Sequence, residues 1–212
     1  MLIDALDSRT LRATDCYGQR FMRAGRYPYH VLPAGGRSLA DEFPYAVVVR
    51  EGDSNSEMKQ HTVPVAREGR AFVPKPEIEI EIDQGDLVLW NCPSAGTGFE
   101  VLGEKAFFGN SSLTNECGYS HAFGVAGDYE WTDANGSGLG GVVHVVDPTC
   151  RSEVDLRAWR DRLSNGTVVM ITDGVVEAAE VTIEVGQTVF FAVVSSNGVT
   201  ITDRRLLDDS AG

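Results

Sequence analysis

The chain has 212 residues, 42% of them hydrophobic, with 31 acidic against 18 basic side chains and a formal net charge of −13. That length holds one large or two small domains and allows a packed core. So acidic a balance argues against a nucleic-acid partner, which needs a basic face, and against attachment to an anionic membrane surface.

The basic residues are 15 Arg and only three Lys (Lys59, Lys75, Lys105). This is the profile of a salt-adapted surface or of an Arg-preferring codon usage. The start, MLIDALDSRT, carries Asp4 and Asp7 where a signal peptide has a basic region and then an apolar run. No apolar stretch approaches the roughly 18 residues of a membrane span. The expected location is cytoplasmic, with export by a route that needs no cleaved signal as the alternative. Cys16, Cys92, Cys117 and Cys150 show no CxxC spacing, so no structural zinc site is indicated.

In chain order, the first β-rich run is YAVVVR from Tyr45, followed by a polar surface loop, EGDSNSEMKQ, from Glu51. PEIEIEI then alternates strictly, Ile78, Ile80 and Ile82 facing one way and Glu77, Glu79 and Glu81 the other, a strand with one wet face. DLVLWN follows a turn at Gly85, and GVVHVVD starts at Gly141. Residues 152–164 read as a helix: Ser152 caps it, Leu156, Trp159 and Leu163 form its apolar stripe, and Asn165-Gly166 ends it. TVVMIT from Thr167, EVTIEV from Glu180 and TVFFAVV from Thr188 complete the strands.

Two segments recur. Ile80, Ile82, Gly85, Val88 and Trp90 match Val181, Ile183, Gly186, Val189 and Phe191 at an offset of 101. Cys16 matches Cys117 at the same offset; after a one-residue gap Phe21, Gly25, Tyr27 and Tyr29 match Phe123, Gly127, Tyr129 and Trp131 at 102. The chain thus begins with one half of a unit and ends with the other. The expected division is a contiguous domain over residues 70–147, a linker with a helix over 148–164, and a second domain made of residues 1–50 plus 165–212. The ends of that second domain meet either within one molecule, as a circular permutation, or between molecules, as a domain swap.

GDLVLWN, then AFGVAGDYEWTDANGSGLGGVVHVV, with FMRAGRYPYHVLPAGG and FPYAVVVR, resemble the two halves of cupredoxin domains, as found in multicopper oxidases and copper nitrite reductases. The resemblance implies an all-β fold of two Greek-key sandwiches. It places the first copper-ligating His near Gly98 and Gly198, the Cys at Asp133 and Val31, the second His at Asn135-Gly136-Ser137 and Ala34-Gly35-Gly36, and the Met at Leu139. A blue-copper site needs two His, a Cys and a weak axial ligand. None of these residues supplies imidazole or thiolate, so the expectation is no cofactor, with copper as the alternative.

The candidate metal residues are His30 and His121. His30, in YPYHV, resembles the His before the Cys that in those families faces a second copper. The plainer reading of both is a strand histidine bonded to backbone or facing water. GSGLGG from Gly136 precedes a strand and not a helix, so it is not a dinucleotide loop. The expected function is a non-enzymatic structural, assembly or interaction module that self-associates into a homo-oligomer or filament. The alternatives are a metal-dependent oxidoreductase or electron-transfer protein, and a non-catalytic subunit of a larger redox complex.

Overall fold

The computed structural model describes residues 5–36, 43–52, 57–75, 78–92 and 98–208. Glu77 of the alternating run, part of the polar loop from Glu51, and Asp4 of the N-terminal segment lie outside the described residues.

The chain is all-β with one helix of more than two turns. The strands are β1 (Asp15–Arg20), β2 (Gly25–Pro33), β3 (Tyr45–Arg50), β4 (Gln60–Glu68), β5 (Ala71–Pro74), β6 (Glu79–Asp83), β7 (Leu87–Asn91), β8 (Phe99–Gly103), β9 (Cys117–Ala122), β10 (Gly127–Asp133) and β11 (Gly140–Val146). After α1 (Glu153–Arg162) come β12 (Thr167–Thr172), β13 (Val175–Glu177), β14 (Glu180–Glu184), β15 (Thr188–Ser195), β16 (Ile201–Asp203) and α2 (Arg205–Asp208).

One eight-stranded sheet, β13-β12-β15-β9-β1-β7-β4-β5, runs through both halves of the chain. Two four-stranded sheets, β6-β3-β2-β8 and β14-β11-β10-β16, pack on it. They have the same strand order and directions: β3 is parallel to β6 as β11 is to β14, and the other neighbours are antiparallel. Aromatic side chains fill the space between layers. Tyr29 of β2 meets Trp90 of β7 edge-on at 5.5 Å, and Trp131 of β10 meets Phe191 of β15 edge-on at 5.1 Å. All four are buried, and burying such rings drives sandwich formation.

The halves pair differently from the expectation. Residues 15–50 share their sheets with residues 60–103, and residues 117–146 share theirs with residues 167–203. Each sandwich is therefore built from neighbouring stretches of chain, residues 15–50 with 60–103 and residues 117–146 with 167–203. The linker of residues 148–164 sits inside the later sandwich instead of between two domains. Sequence proximity favours this outcome, because closing the short Arg50-to-Gln60 connection costs less entropy than joining residues 1–50 to 165–212. The chain ends do touch: Asp7 bridges Thr202, the Ser8 N–H donates to the Ile201 carbonyl at 2.8 Å, and the Asp203 N–H donates to that of Leu6 at 2.7 Å.

Local detail recurs between the sandwiches at an offset of 102 in their earlier strands and 101 in their later ones. Phe21 packs on Tyr27 at 4.9 Å and Phe123 on Tyr129 at 4.8 Å. The Tyr27 and Tyr129 hydroxyls each donate to the carbonyl four residues back, of Arg23 and Val125, at 2.8 Å. Gly85 and Gly186 hold positive φ (92° and 90°) in the turns that lead into β7 and β15, which is why both places are glycine. Tyr17 opposite Trp90 and Tyr119 opposite Phe191 are equivalent by strand register. The offset there is also 102, so no gap is needed, and Cys16 corresponds to Gly118 and not to Cys117.

Helix α1 starts where the sequence indicates, the Asp155 N–H donating to the Ser152 hydroxyl at 3.2 Å. Trp159 Nε1 donates to the Val185 carbonyl at 3.1 Å, which anchors the helix beside the Gly186 turn. The acid row of β6 is not simply solvated. Glu79 pairs with Arg26 at 2.5 Å, and Glu81 pairs with Arg50. Ile78 precedes β6 and is 66% exposed, while Ile82 is buried.

Candidate functional site

Two regions concentrate polar chemistry: the loops at one end of the second sandwich, and the seam where β1 meets β9.

The strand β10 ends at Asp133, whose side chain is buried. Its carboxylate accepts the N–H groups of Thr200 at 2.8 Å, Asn135 at 3.1 Å and Ser137 at 3.4 Å. Burial alone would raise its pKa. The Ser137 hydroxyl and these N–H groups outweigh that and hold it below the ordinary carboxylate value. Asn135 Nδ2 spans to Thr200 Oγ1 at 3.2 Å and to the Gly198 carbonyl at 3.3 Å. Gly136 and Gly138, at φ 78° and 82°, turn the loop back so that the Asp133 N–H reaches the Leu139 carbonyl at 2.9 Å. Asp133, Asn135, Ser137, Leu139 and Gly198 thus come together at one end of one sandwich. In the first sandwich Val31, Ala34 and Gly98 do likewise, the Ala34 N–H donating to the Gly98 carbonyl at 3.0 Å.

These places do not fit a blue-copper ion. Asp133 is a hard oxygen donor already committed to three backbone N–H groups, where a soft thiolate is required. Gly198 has φ 117°, and a Cβ there would lie 2.5 Å from Ser112 Oγ. A Cβ on Gly98 would lie 2.1 Å from Thr10 Cγ2. The φ of Gly198 is one that side chains rarely adopt, and at Gly98 a side chain would require Thr10 to move and the Leu11 carbonyl, 3.3 Å away, to give slightly. An open cleft of about 480 Å³ lies beside this end, lined by Asn115, Ser137, Asp173 and Ser196 among others.

Compared with models of known protein families, with curated proteins and with solved structures, the chain matches none. What it does therefore rests on its own geometry.

The second region was not legible as a site. β1 and β9 run antiparallel with Gly18 opposite Gly118, Tyr17 opposite Tyr119 and Asp15 opposite His121. His121 Nδ1 lies 2.6 Å from Asp15 Oδ1, and both side chains are 1% exposed. The Tyr119 hydroxyl donates to the same oxygen at 2.9 Å, and the Arg12 N–H donates to Oδ2 at 2.7 Å. A carboxylate only accepts, so the geometry makes Nδ1 the proton-bearing nitrogen. Nε2 is buried and has no hydrogen-bond partner among the described residues. Burial, then the Asp15 charge, pushes the Tyr119 phenol well above its usual pKa, which keeps it a donor. At the equivalent positions of the first sandwich, Tyr17 donates to Gln19 Oε1 at 3.0 Å. The signal was in the repeat itself: at an offset of 102, Asp15 is equivalent to Cys117 and Gln19 to His121, both polar departures in otherwise matched strands.

The two candidate metal histidines are not brought together into one site. His30 lies on β2 in a four-stranded sheet, is 8% exposed and packs its ring 4.8 Å from that of Phe43. His121 lies on β9 in the eight-stranded sheet, bound to Asp15. Among the described residues there is no group of three or more His, Cys, Asp or Glu placed to hold a metal ion. His144 pairs with exposed Asp128 at 2.7 Å, and His61 with Asp86 at 2.7 Å. No disulfide joins the cysteines among the described residues. Burial first, then the Asp15 charge, pushes the Cys16 thiol up to about 12, and burial does the same for Cys117.

Asp133 and Asp86 both sit below the usual carboxylate pKa in the folded chain. Their stabilisation is complete above the unfolded carboxyl value of about 3.9 and is lost as pH falls through the lower folded value. Urea midpoints measured from neutral pH down into that range should fall for the parent chain. The fall should be shallower for Asp133→Asn, which cannot titrate there. An identical slope in the variant would show that Asp133 is not held as described.

Proposed function

We propose that this chain is a non-enzymatic interaction or assembly module built from two cupredoxin-like sandwiches that have lost the type 1 copper site. The observation that carries the reading is the filling of the ligand places. At the loop end of each sandwich these places are filled by Gly98 and Gly198, by Val31 and Leu139, and by an Asp133 committed to backbone. The recurrence of sheet order and of the Phe-Gly-Tyr detail supports duplication of one ancestral unit, each copy circularly permuted. A long sheet shared by both copies is a rigid scaffold that presents loops, an arrangement suited to binding or assembly. Self-association is the expected mode, in keeping with exposed apolar side chains on the outer side of the long sheet such as Val168, Met170 and Val194.

The test is elemental analysis of the purified chain combined with its mass in solution. The reading predicts no stoichiometric transition metal and a defined oligomer. One metal ion per chain, lost in His30→Ala or His121→Ala, would replace it with a metal-dependent oxidoreductase.

A further inference from the structure

Two clefts lie side by side on the first sandwich, at the end of β2 away from Ala34. One, of about 330 Å³, is lined by Phe21, Met22, Arg23 and Glu116 among others; the second, of about 280 Å³, by Arg26, Pro28, Glu104 and Lys105 among others. They share Tyr27 and Phe107, which stand between them as a wall. Phe107 is 60% exposed and Met22 is 50% exposed, both large apolar groups held in water. The ring of Phe107 lies 5.2 Å from that of Tyr27.

Phe107 is held there by an unfavourable backbone. Lys105 and Ala106, just before it, both adopt left-handed φ of 54°, a conformation that costs any residue with a side chain. Two such residues in succession, ending in an exposed aromatic, are strain of the kind found at binding surfaces. The second sandwich gives the contrast. There the ring of Tyr129 is covered by the Arg205 guanidinium at 5.5 Å, and Arg205 is itself paired with Asp203 at 2.5 Å. That surface has its charge answered; the Phe107 surface does not.

The charges select a partner. Four basic side chains, Arg20, Arg23, Arg26 and Lys105, line the clefts against two acidic ones, Glu104 and Glu116, in a chain whose net charge is −13. Arg20 is engaged by Glu116 at 3.9 Å and Arg26 by Glu79 at 2.5 Å. Arg23 and Lys105, one on each side of Phe107, are exposed and have no ion pair among the described residues.

We infer that this double cleft binds an acidic peptide segment of a partner protein, which straddles Phe107 and inserts one apolar or aromatic side chain beside it. Its carboxylates face Arg23 and Lys105, and its apolar anchor covers Phe107, Tyr27 and Met22. Both clefts are open and adjoin, which suits an extended chain better than an enclosed small molecule. The inference goes beyond the proposed function and holds whether or not the loop ends bind metal.

The experiment pans a phage-displayed library of random dodecapeptides against the full chain and measures the recovered peptides by fluorescence anisotropy. Recovered sequences should gather Asp and Glu around a Trp, Phe or Leu. Phe107→Ser should weaken them by about tenfold or more, as expected of a central aromatic anchor. Arg23→Glu combined with Lys105→Glu should abolish binding, and added salt should weaken it in the parent. All three altered side chains are exposed, so unfolding temperatures should stay at the parent value. Recovery of no peptide, of peptides without acidic enrichment, or of peptides that bind the variants as they bind the parent would overturn the inference. A dimer that Phe107→Ser splits into monomers would also overturn it, by placing a second copy of this chain in the groove.

Discussion

Replacing Asp15 by Ala should lower the unfolding free energy by about 3–5 kcal/mol, the cost of leaving several buried donors without their shared acceptor. The loss is large because Asp15 serves three donors at once. Without it, the buried His121 Nδ1–H and Tyr119 hydroxyl and the part-buried Arg12 N–H lose their acceptor. Each orphaned buried donor costs about 1–3 kcal/mol. Asp15→Asn should cost less, since one amide oxygen still accepts. His121→Phe should be milder again, because Asp15 keeps Tyr119 and Arg12 and the ring fits beside Phe123, which His121 already meets edge-on at 4.7 Å. A double-mutant cycle between Asp15→Ala and His121→Phe, read from urea midpoints, should give a coupling of about 1–3 kcal/mol. Additive single effects would show that the two side chains do not act as a pair.

The second large effect lies three residues along the same seam. Gly118→Val should destabilise by about 3 kcal/mol, at the upper end of the cost of overpacking. A Cβ at Gly118 would sit 2.3 Å from Phe190 Cζ and 2.8 Å from the Phe191 carbonyl oxygen. The ring can swing aside, but the carbonyl belongs to the β15 backbone, so the β9–β15 pairing itself must give. Gly18 faces Gly118 across the seam and makes the control. Its Cβ would meet Leu89 Cδ2 at 2.8 Å, the tip of a flexible side chain, and no backbone atom closer than 3.9 Å. Gly18→Ala should therefore cost less than Gly118→Ala. Equal costs would mean that the two sides of the seam are packed alike.

Strands were readable wherever one face is wet and the other dry. Val88 and Trp90 in β7, and Val189 and Phe191 in β15, are buried as their alternation requires. Helix α1 was readable because its cap, stripe and terminator agree. The recurrence at about 100 residues was readable too, since glycines and aromatics must return wherever the same turns and contacts return. Which half pairs with which was not readable. Periodicity shows which face of a strand is buried, not which neighbour it takes, and a pattern of alternating halves can be divided into units in two ways. The loop lengths decided it. The structure brings Gly198 beside the Asp133 loop and Gly98 beside the end of the Val31 strand, where the expected division had joined Gly98 to Asp133 and Gly198 to Val31. Asp15 and Tyr119 escaped notice because an Asp at a strand start and a Tyr in a sandwich are ordinary until register sets them against His121. Phe107 escaped because nothing in EKAFFG signals left-handed backbone at Lys105 and Ala106.

The account depends above all on β1 and β9 of one chain lying side by side, since that seam joins the two sandwiches and holds the Asp15–His121 pair. Cys16 is paired in register with Ser120, so their side chains lie on the same face of the sheet. Ser120→Cys, made together with Cys150→Ser to remove the exposed thiol, therefore places two sulfurs within bridging reach. Diamide oxidation at micromolar protein should yield a monomer with an internal cross-link from Cys16 to the introduced thiol, which runs faster on a non-reducing gel and unfolds at higher urea. Covalent dimers, or thiols that stay unlinked, would contradict the seam.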